Sequence, residues 1–278
     1  MDKHILLISC TDELGLISKI SSVISNLGLN IIIMREFVEE ESNIFFMRME
    51  LSGTLDSNLL FSNLDLNAPA DAVISINPKQ KKDLVIYATK EYHCLGDLLS
   101  RHHFGELQAN IKSVIANHED LREYTEKFNV PFHLVTHEEK SKEQFEAELL
   151  RQTQLYTPDL IVLAKFMRIL SPEFVSSFEN KIINIHHSFL PAFIGANPYK
   201  KAFERGVKLI GATAHIVNNN LDEGPIITQR VIPVDHTFNT KSMIQAGREV
   251  ERSVLFESLK LVLEDRVFVS GNKTIIFS

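Results

Sequence analysis

Leu160-Ile161-Val162-Leu163-Ala164 is a run of five apolar residues with no polar residue among them. A strand with one wet face would alternate, so an unbroken run of this length between polar segments reads as a strand buried on both faces, the kind that crossover helices cover in a parallel sheet. Similar runs stand earlier at 84–88 (LVIYA) and 111–115 (IKSVI), and polar segments of helical pattern fall at about 95–103, 119–128 and 141–155. This alternation predicts an α/β fold, a doubly wound and mostly parallel sheet of Rossmann type, over residues 84–278. One more buried strand is expected at 181–186, and the strand-like segments 211–217 (GATAHIV) and 226–232 (IITQRVI) enclose a polar turn.

Upstream of that sheet the pattern changes. Residues 4–9 (HILLIS) read as a strand, and Thr11 and Asp12 offer capping oxygens to a helix whose apolar stripe, Leu16, Ile20, Val23, Ile24 and Leu27, stops at Gly28. A hairpin is expected from 29–38 and 43–51, then a helix near 56–64 and a strand at 72–76. The order βαββαβ predicts a ferredoxin-like domain over residues 4–78, four strands with two helices on one face. Pro78 opens a stretch with no apolar residue, and residues 79–83 are expected to be a linker.

A chain of 278 residues fits two domains. The net charge of −7 argues against a broad nucleic-acid or anionic-membrane surface, since both need clustered Lys and Arg. Cys10 and Cys94 stand far apart and give no disulfide framework, which with the lack of an apolar leader or membrane-length stretch predicts a cytoplasmic protein.

The chemistry gathers in Lys181-Ile182-Ile183-Asn184-Ile185-His186-His187-Ser188-Phe189-Leu190-Pro191. Residues two apart on a strand share a face, so Asn184 and His186 project together at the carboxyl end of a strand, the edge where open α/β sheets place ligand crevices. Alone, the triplet also fits a buried structural Asn and His. The polar turn Asn218-Asn219-Asn220-Leu221-Asp222-Glu223-Gly224-Pro225 adds a carboxylate. An amide donor, an imidazole and a carboxylate supply what acyl transfer from an amide needs: a hydrogen bond for the oxyanion, a proton carrier and a base. His102, His103, His186, His187 and Cys94 lack the spacing of a metal site, and no metal or other cofactor is expected.

Asn184-Ile185-His186 with Ser188, Leu190-Pro191, Phe193 and Asp222-Glu223-Gly224-Pro225 resembles the catalytic pattern of folate-dependent formyltransferases, and Leu163–Pro172 is similar to the segment lining their pterin pocket. The resemblance covers residues 84–278. It implies Asn184, His186 and Asp222 as catalytic residues and Met167, Arg168, Ile169, Leu170 and Val217 as folate contacts. Within this superfamily the chain looks most like the formyltetrahydrofolate deformylase branch, on His93-Cys94-Leu95, Asp97-Leu98-Leu99, Arg101 with Gly105-Glu106-Leu107, and His187 where transferases usually carry Pro. His93 and His187 join the expected substrate contacts on that ground. The branch implies hydrolysis of 10-formyltetrahydrofolate to formate and tetrahydrofolate, with water as co-substrate.

Residues 4–78 resemble an ACT domain, which implies an amino-acid effector near Asp12, Gly15, Leu16 and Asn30. Exposed sheet edges of such domains often pair between subunits, so a homo-oligomer is expected. Two alternatives stay open at this point: a formyltransferase acting on an amine, disfavoured by the lack of phosphate-cradling glycines in 88–97, and a non-catalytic folate or amino-acid sensor.

Overall fold

The computed structural model of the chain describes residues 3–191 and 198–278. Phe193 lies outside the described residues. Two compact units are formed: Met1–Gln80 with Asp265–Phe268 and Ile275–Ser278, and Lys81–Glu264 with Val269–Thr274.

In the first unit, strands β1 (Lys3–Thr11), β2 (Asn30–Glu39), β3 (Ile44–Ser52) and β4 (Val73–Ile76) form an antiparallel sheet of order β2-β3-β1-β4. Alternation puts Leu6, Ile8 and Cys10 of β1 and Phe45, Met47, Met49 and Leu51 of β3 on one face. Helices α1 (Leu16–Asn26) and α2 (Ser57–Asn67) cover that face with Leu16, Ile20, Val23, Ile24, Leu60 and Leu64. This is the expected βαββαβ arrangement. Thr11 and Asp12 do not cap α1, however. Thr11 still belongs to β1, and its N–H and hydroxyl both donate to Asp71 at 2.9 and 2.7 Å, while the helix starts after Gly15 at φ 83° without a side-chain cap.

The other face of β3 takes in the end of the chain. Phe46 meets Phe268 edge-on at 5.6 Å, and Arg48 Nε donates to the carbonyl of Asp265 at 3.1 Å. The expected domain limits put these last residues in the second domain, since the four-residue strands β12 (Val267–Ser270) and β13 (Lys273–Ile276) are too short to show a period.

The second unit is built on seven strands: β5 (Lys82–Ala88), β6 (Ala109–Ala116), β7 (Phe132–Leu134), β8 (Leu160–Ala164), β9 (Ile182–His186), β10 (Leu209–Ile216) and β11 (Ile226–Pro233). Their order is β11-β10-β9-β8-β5-β6-β7, parallel from β9 to β7 and antiparallel from β9 to β11. Strand β5 starts at Lys82, inside the segment expected to be a linker. Lys82 Nζ donates to the Leu263 carbonyl at 3.0 Å and Asn110 Nδ2 donates to Asp83 Oδ1 at 2.8 Å, so polar side chains at the sheet rim find partners and the strand can begin on them.

Helices α3 (His93–His103), α4 (Arg122–Glu126), α5 (Lys142–Gln154), α6 (Pro172–Ser176), α7 (Pro198–Arg205) and α8 (Thr240–Leu263) connect or follow these strands. The last is 24 residues long; a reciprocal Asn239–Ser242 capping box opens it, and buried Gly247, Val250, Glu251, Val254, Leu255, Ser258 and Leu259 mark its inner stripe. Among the described residues, no helix is long and apolar enough to cross a membrane.

Candidate active site

Chain order runs from β5 out to β7 and then returns to the other side of β5 with β8, so the sheet reverses direction between β5 and β8. Open α/β sheets hold ligands beside such a reversal, at the carboxyl ends of the strands. A cleft of about 480 Å³ lies there, between the loop after β8, the end of β9 and the 217–222 loop after β10.

Each wall follows from local sequence. After Ala164 the chain adopts left-handed backbone at Lys165 (φ 61°) and Met167 (φ 38°), which keeps 165–170 out of a helix until Ser171 caps α6. Ser171 N–H donates to Glu146 Oε1 at 2.8 Å and pins the far end. Met167 and Ile169 stay 56% and 61% exposed along one wall, apolar surface left open to the cleft. Met167, Arg168, Ile169, Leu170, His187 and Val217 all line the cleft. His93 does not; it is buried next to Glu251, with Nε2 2.7 Å from Oε2.

On the opposite wall, β9 pairs with β10 so that Asn184 faces His215 and His186 faces Thr213. Cross-strand partners share a face, which puts all four side chains on one side of the sheet. Thr213 donates to the Ser188 carbonyl at 2.8 Å and accepts from Leu190 N–H and Gln229 Nε2 at 3.1 and 3.0 Å, holding the turn after His186. Asp222 approaches from the loop after β10, in left-handed backbone (φ 57°). That loop is seated by Gly224, where a Cβ would collide with the carbonyl oxygen of Ile216. Ile216 N–H also donates to the Pro225 carbonyl at 2.8 Å.

Asn184, His186 and Asp222 are thereby brought together. His186 Nδ1 lies 3.2 Å from Asp222 Oδ1, and the same oxygen is 3.7 Å from His215 Nε2. Burial by itself would push the Asp222 carboxyl up; the hydrogen bond from His186, with its charge, outweighs it and holds the group well below the usual carboxylate range. His186 Nε2 is buried and has no partner among the described residues, so a nitrogen is left for a ligand. Sequence reasoning missed His215. An imidazole in the otherwise small and apolar strand GATAHIV was the available signal, but which residue it would face depends on register, which the sequence does not state.

A second group was also missed. Glu251, Tyr199 and Lys165 form a buried cluster with His93. His93, Cys94 and Glu251 could each offer an atom to a metal ion within 4.8 Å of one another. In this structure the Glu251 carboxylate already accepts from His93 and the Tyr199 hydroxyl.

The four effector candidates do not converge within one chain. Asp12, Gly15 and Leu16 sit at the start of α1 and Asn30 follows its end, about 16 Å away for 11 residues. Asn30 lines a serine-rich groove formed by α1 and the start of β2.

Comparison with known proteins agrees with this architecture. Residues 82–259 match the formyl transferase family. The chain is 51% identical over 276 residues to a formyltetrahydrofolate deformylase of Haemophilus influenzae, covering 99% of both chains. The chain belongs to the formyltetrahydrofolate deformylase family. A deformylase crystal structure from Pseudomonas syringae superimposes with a TM-score of 0.93 at 40% identity, over 99% of this chain and 94% of that one. Glycinamide ribonucleotide transformylase 1 of Symbiobacterium toebii has a TM-score of 0.69 at 27% identity, covering 72% of this chain and 96% of its own. Family membership thus extends over both units, and the likeness to the transformylase over only part of the chain.

Proposed function

We propose that the chain hydrolyses 10-formyltetrahydrofolate to formate and tetrahydrofolate, with Asn184, His186 and Asp222 as its catalytic residues. The observation that carries this reading is the joining of an oriented amide, an imidazole whose Nε2 has no partner among the described residues, and an ionised carboxylate at the end of a largely apolar cleft.

The formyl group resists water because the nitrogen lone pair weakens the carbonyl as an electrophile. The oxygen of a water held by Asp222 attacks the formyl carbon, and the carbonyl oxygen takes up negative charge. Asn184 uses one amide proton toward His215 Nε2, at 3.1 Å, and keeps its second for that oxyanion. A carboxylate held as low as Asp222 is a weak base by itself. The proton lost by water therefore does not rest there: it passes within the Asp222–His186 pair, which acts as one titrating unit, and is delivered to N10 as the C–N10 bond breaks. Met167, Ile169, Leu170 and Val217 hold the pterin meanwhile. No metal or cofactor enters the scheme.

Purified protein in amine-free buffer should release formate and tetrahydrofolate in equal amounts from 10-formyltetrahydrofolate. Disappearance of substrate without formate would refute the reading.

The first unit, in this proposal, is an ACT-type regulator in a cytoplasmic homo-oligomer, and its ligand is a small amino acid. Because Asp12 and Gly15 lie a helix length from Asn30, one ligand touching both sets needs two copies of the unit. An effector shifts activity only by binding two states unequally. Calorimetry and formate release with glycine, serine and methionine test this; no binding at millimolar concentration would refute it.

A further inference from the structure

The hydrolysis above leaves a buried charge cluster unused. Glu251, on the inner stripe of α8 and 1% exposed, accepts from His93 Nε2 at 2.7 Å and from the Tyr199 hydroxyl at 2.6 Å, and Lys165 Nζ lies 3.4 Å from its Oε2. Lys165 is itself 4% exposed, yet it lines the same cleft as Asn184, His186 and Asp222. The cluster is closely fitted. Gly247 makes room for the Tyr199 ring, which a Cβ there would strike, and Lys165 holds left-handed backbone (φ 61°) that non-glycine residues seldom adopt. Burying an ion pair does little for stability compared with an apolar replacement, so a fitted one beside a reaction cleft points to function.

We propose that Lys165, held in place by Glu251, is a specificity-determining residue: it refuses amines at the acceptor side of the formyl site and leaves water as the nucleophile. The proposal rests on the hydrolytic reading given above. An amine acceptor reaches the cleft largely as an ammonium ion and must shed both its proton and its water before it can attack. A fixed cation in a poorly solvated wall opposes the approach of a second cation, and the opposition is strongest where water is excluded. Water carries no charge.

His187 lines the same cleft beside this cluster. It follows the catalytic imidazole in sequence, its ring lies 6.2 Å from that of Tyr199, and burial, then the charge of Lys165, drive its imidazole down to about 4. It is therefore neutral near neutral pH and can hold a water without adding charge. Glu251, whose burial would raise it, is instead held at about 2 by His93, Lys165 and Tyr199, and so remains the anion that anchors Lys165.

Removing the barrier should open a transfer reaction: the amine nitrogen bonds to the formyl carbon, the C–N10 bond breaks, and the proton released by the amine is passed to N10, giving a formylated amine and tetrahydrofolate. The test uses the full-length protein with 10-formyltetrahydrofolate and either glycinamide or glycinamide ribonucleotide, measuring formate and formylated amine together. Wild type should give formate alone, and wild type without formate release would mean that the hydrolytic reading itself fails. K165M should raise the ratio of formylated amine to formate by roughly tenfold or more. Because K165M leaves Glu251 without its cation, the double variant K165M/E251Q, which removes both charges, is assayed beside it, and K165R, which keeps the charge, should retain most of the wild-type ratio. If the double variant binds the folate and still yields only formate with both amines, the proposal is overturned.

Discussion

Asn184 and His215 face each other across the β9–β10 ladder, with Asn184 Nδ2 3.1 Å from His215 Nε2. His215 Nδ1 lies 3.1 Å from the carbonyl of Ile216, so its proton belongs there and Nε2 is left as the acceptor. Only the nitrogen end of the Asn184 amide can answer that acceptor. His215 thus fixes which way round the amide sits, and with it the donor offered to the developing oxyanion.

His215→Ala should therefore lower kcat by roughly tenfold to a hundredfold, as losses of an orienting partner do, with a smaller change in KM. Steady-state kinetics check this. A loss confined to KM would assign His215 to substrate binding instead.

Asp222→Asn keeps the size of the side chain and removes its charge. Turnover should fall by orders of magnitude while folate binding, measured by calorimetry, persists. Asn184→Ala should cost a factor of roughly 10² to 10³ in kcat if its amide serves the oxyanion. Near wild-type formate release from either variant would remove that residue from the mechanism.

Gly224 holds the Asp222 loop against β10 by lacking a Cβ, which would collide with the Ile216 carbonyl oxygen. Gly224→Ala must push the loop outward and break the 3.2 Å approach of Asp222 to His186. The expected outcome is loss of most activity in a protein whose far-ultraviolet dichroism is little changed. Full activity would show that the loop tolerates displacement.

His187 gives the protein a pH-dependent element of stability. Its usual value near 6.5 drops to about 4 in the fold. Between those values the unfolded chain binds more protons than the folded one, so unfolding takes up protons and stability falls as pH decreases from about 6.5 toward 4. Above that window the contribution is complete. Thermal melts across the range should show a shallower decline for His187→Gln than for wild type. Parallel curves would indicate that His187 is not the group responsible.

How much of this was legible in the sequence depended on whether a local pattern carried it. Unbroken apolar runs such as Leu160–Ala164 identified the buried strands, and the period-two relation of Asn184 to His186 placed both on one face at a strand end. The family pattern drew Asp222 into the same site. The pairing of His215 with Asn184 was not legible, since it is a matter of register between strands separated by a segment of unrelated length. Nor was the meeting of Lys165 with Glu251, which depends on α8 returning beneath the cleft from far along the chain. His93 matched the family pattern, yet it turned out to serve Glu251 rather than to line the cleft, because sequence likeness identifies a position and not the partner its side chain finds.

The central claim is that water receives the formyl group. The most direct measurement is a single turnover of 10-formyltetrahydrofolate in heavy-oxygen water, with the formate analysed by mass spectrometry. The account predicts that each formate carries one oxygen from the solvent, and that Asp222→Asn forms almost none in the same time. Formate without solvent oxygen, or a formyl group recovered only on an added amine, would contradict it.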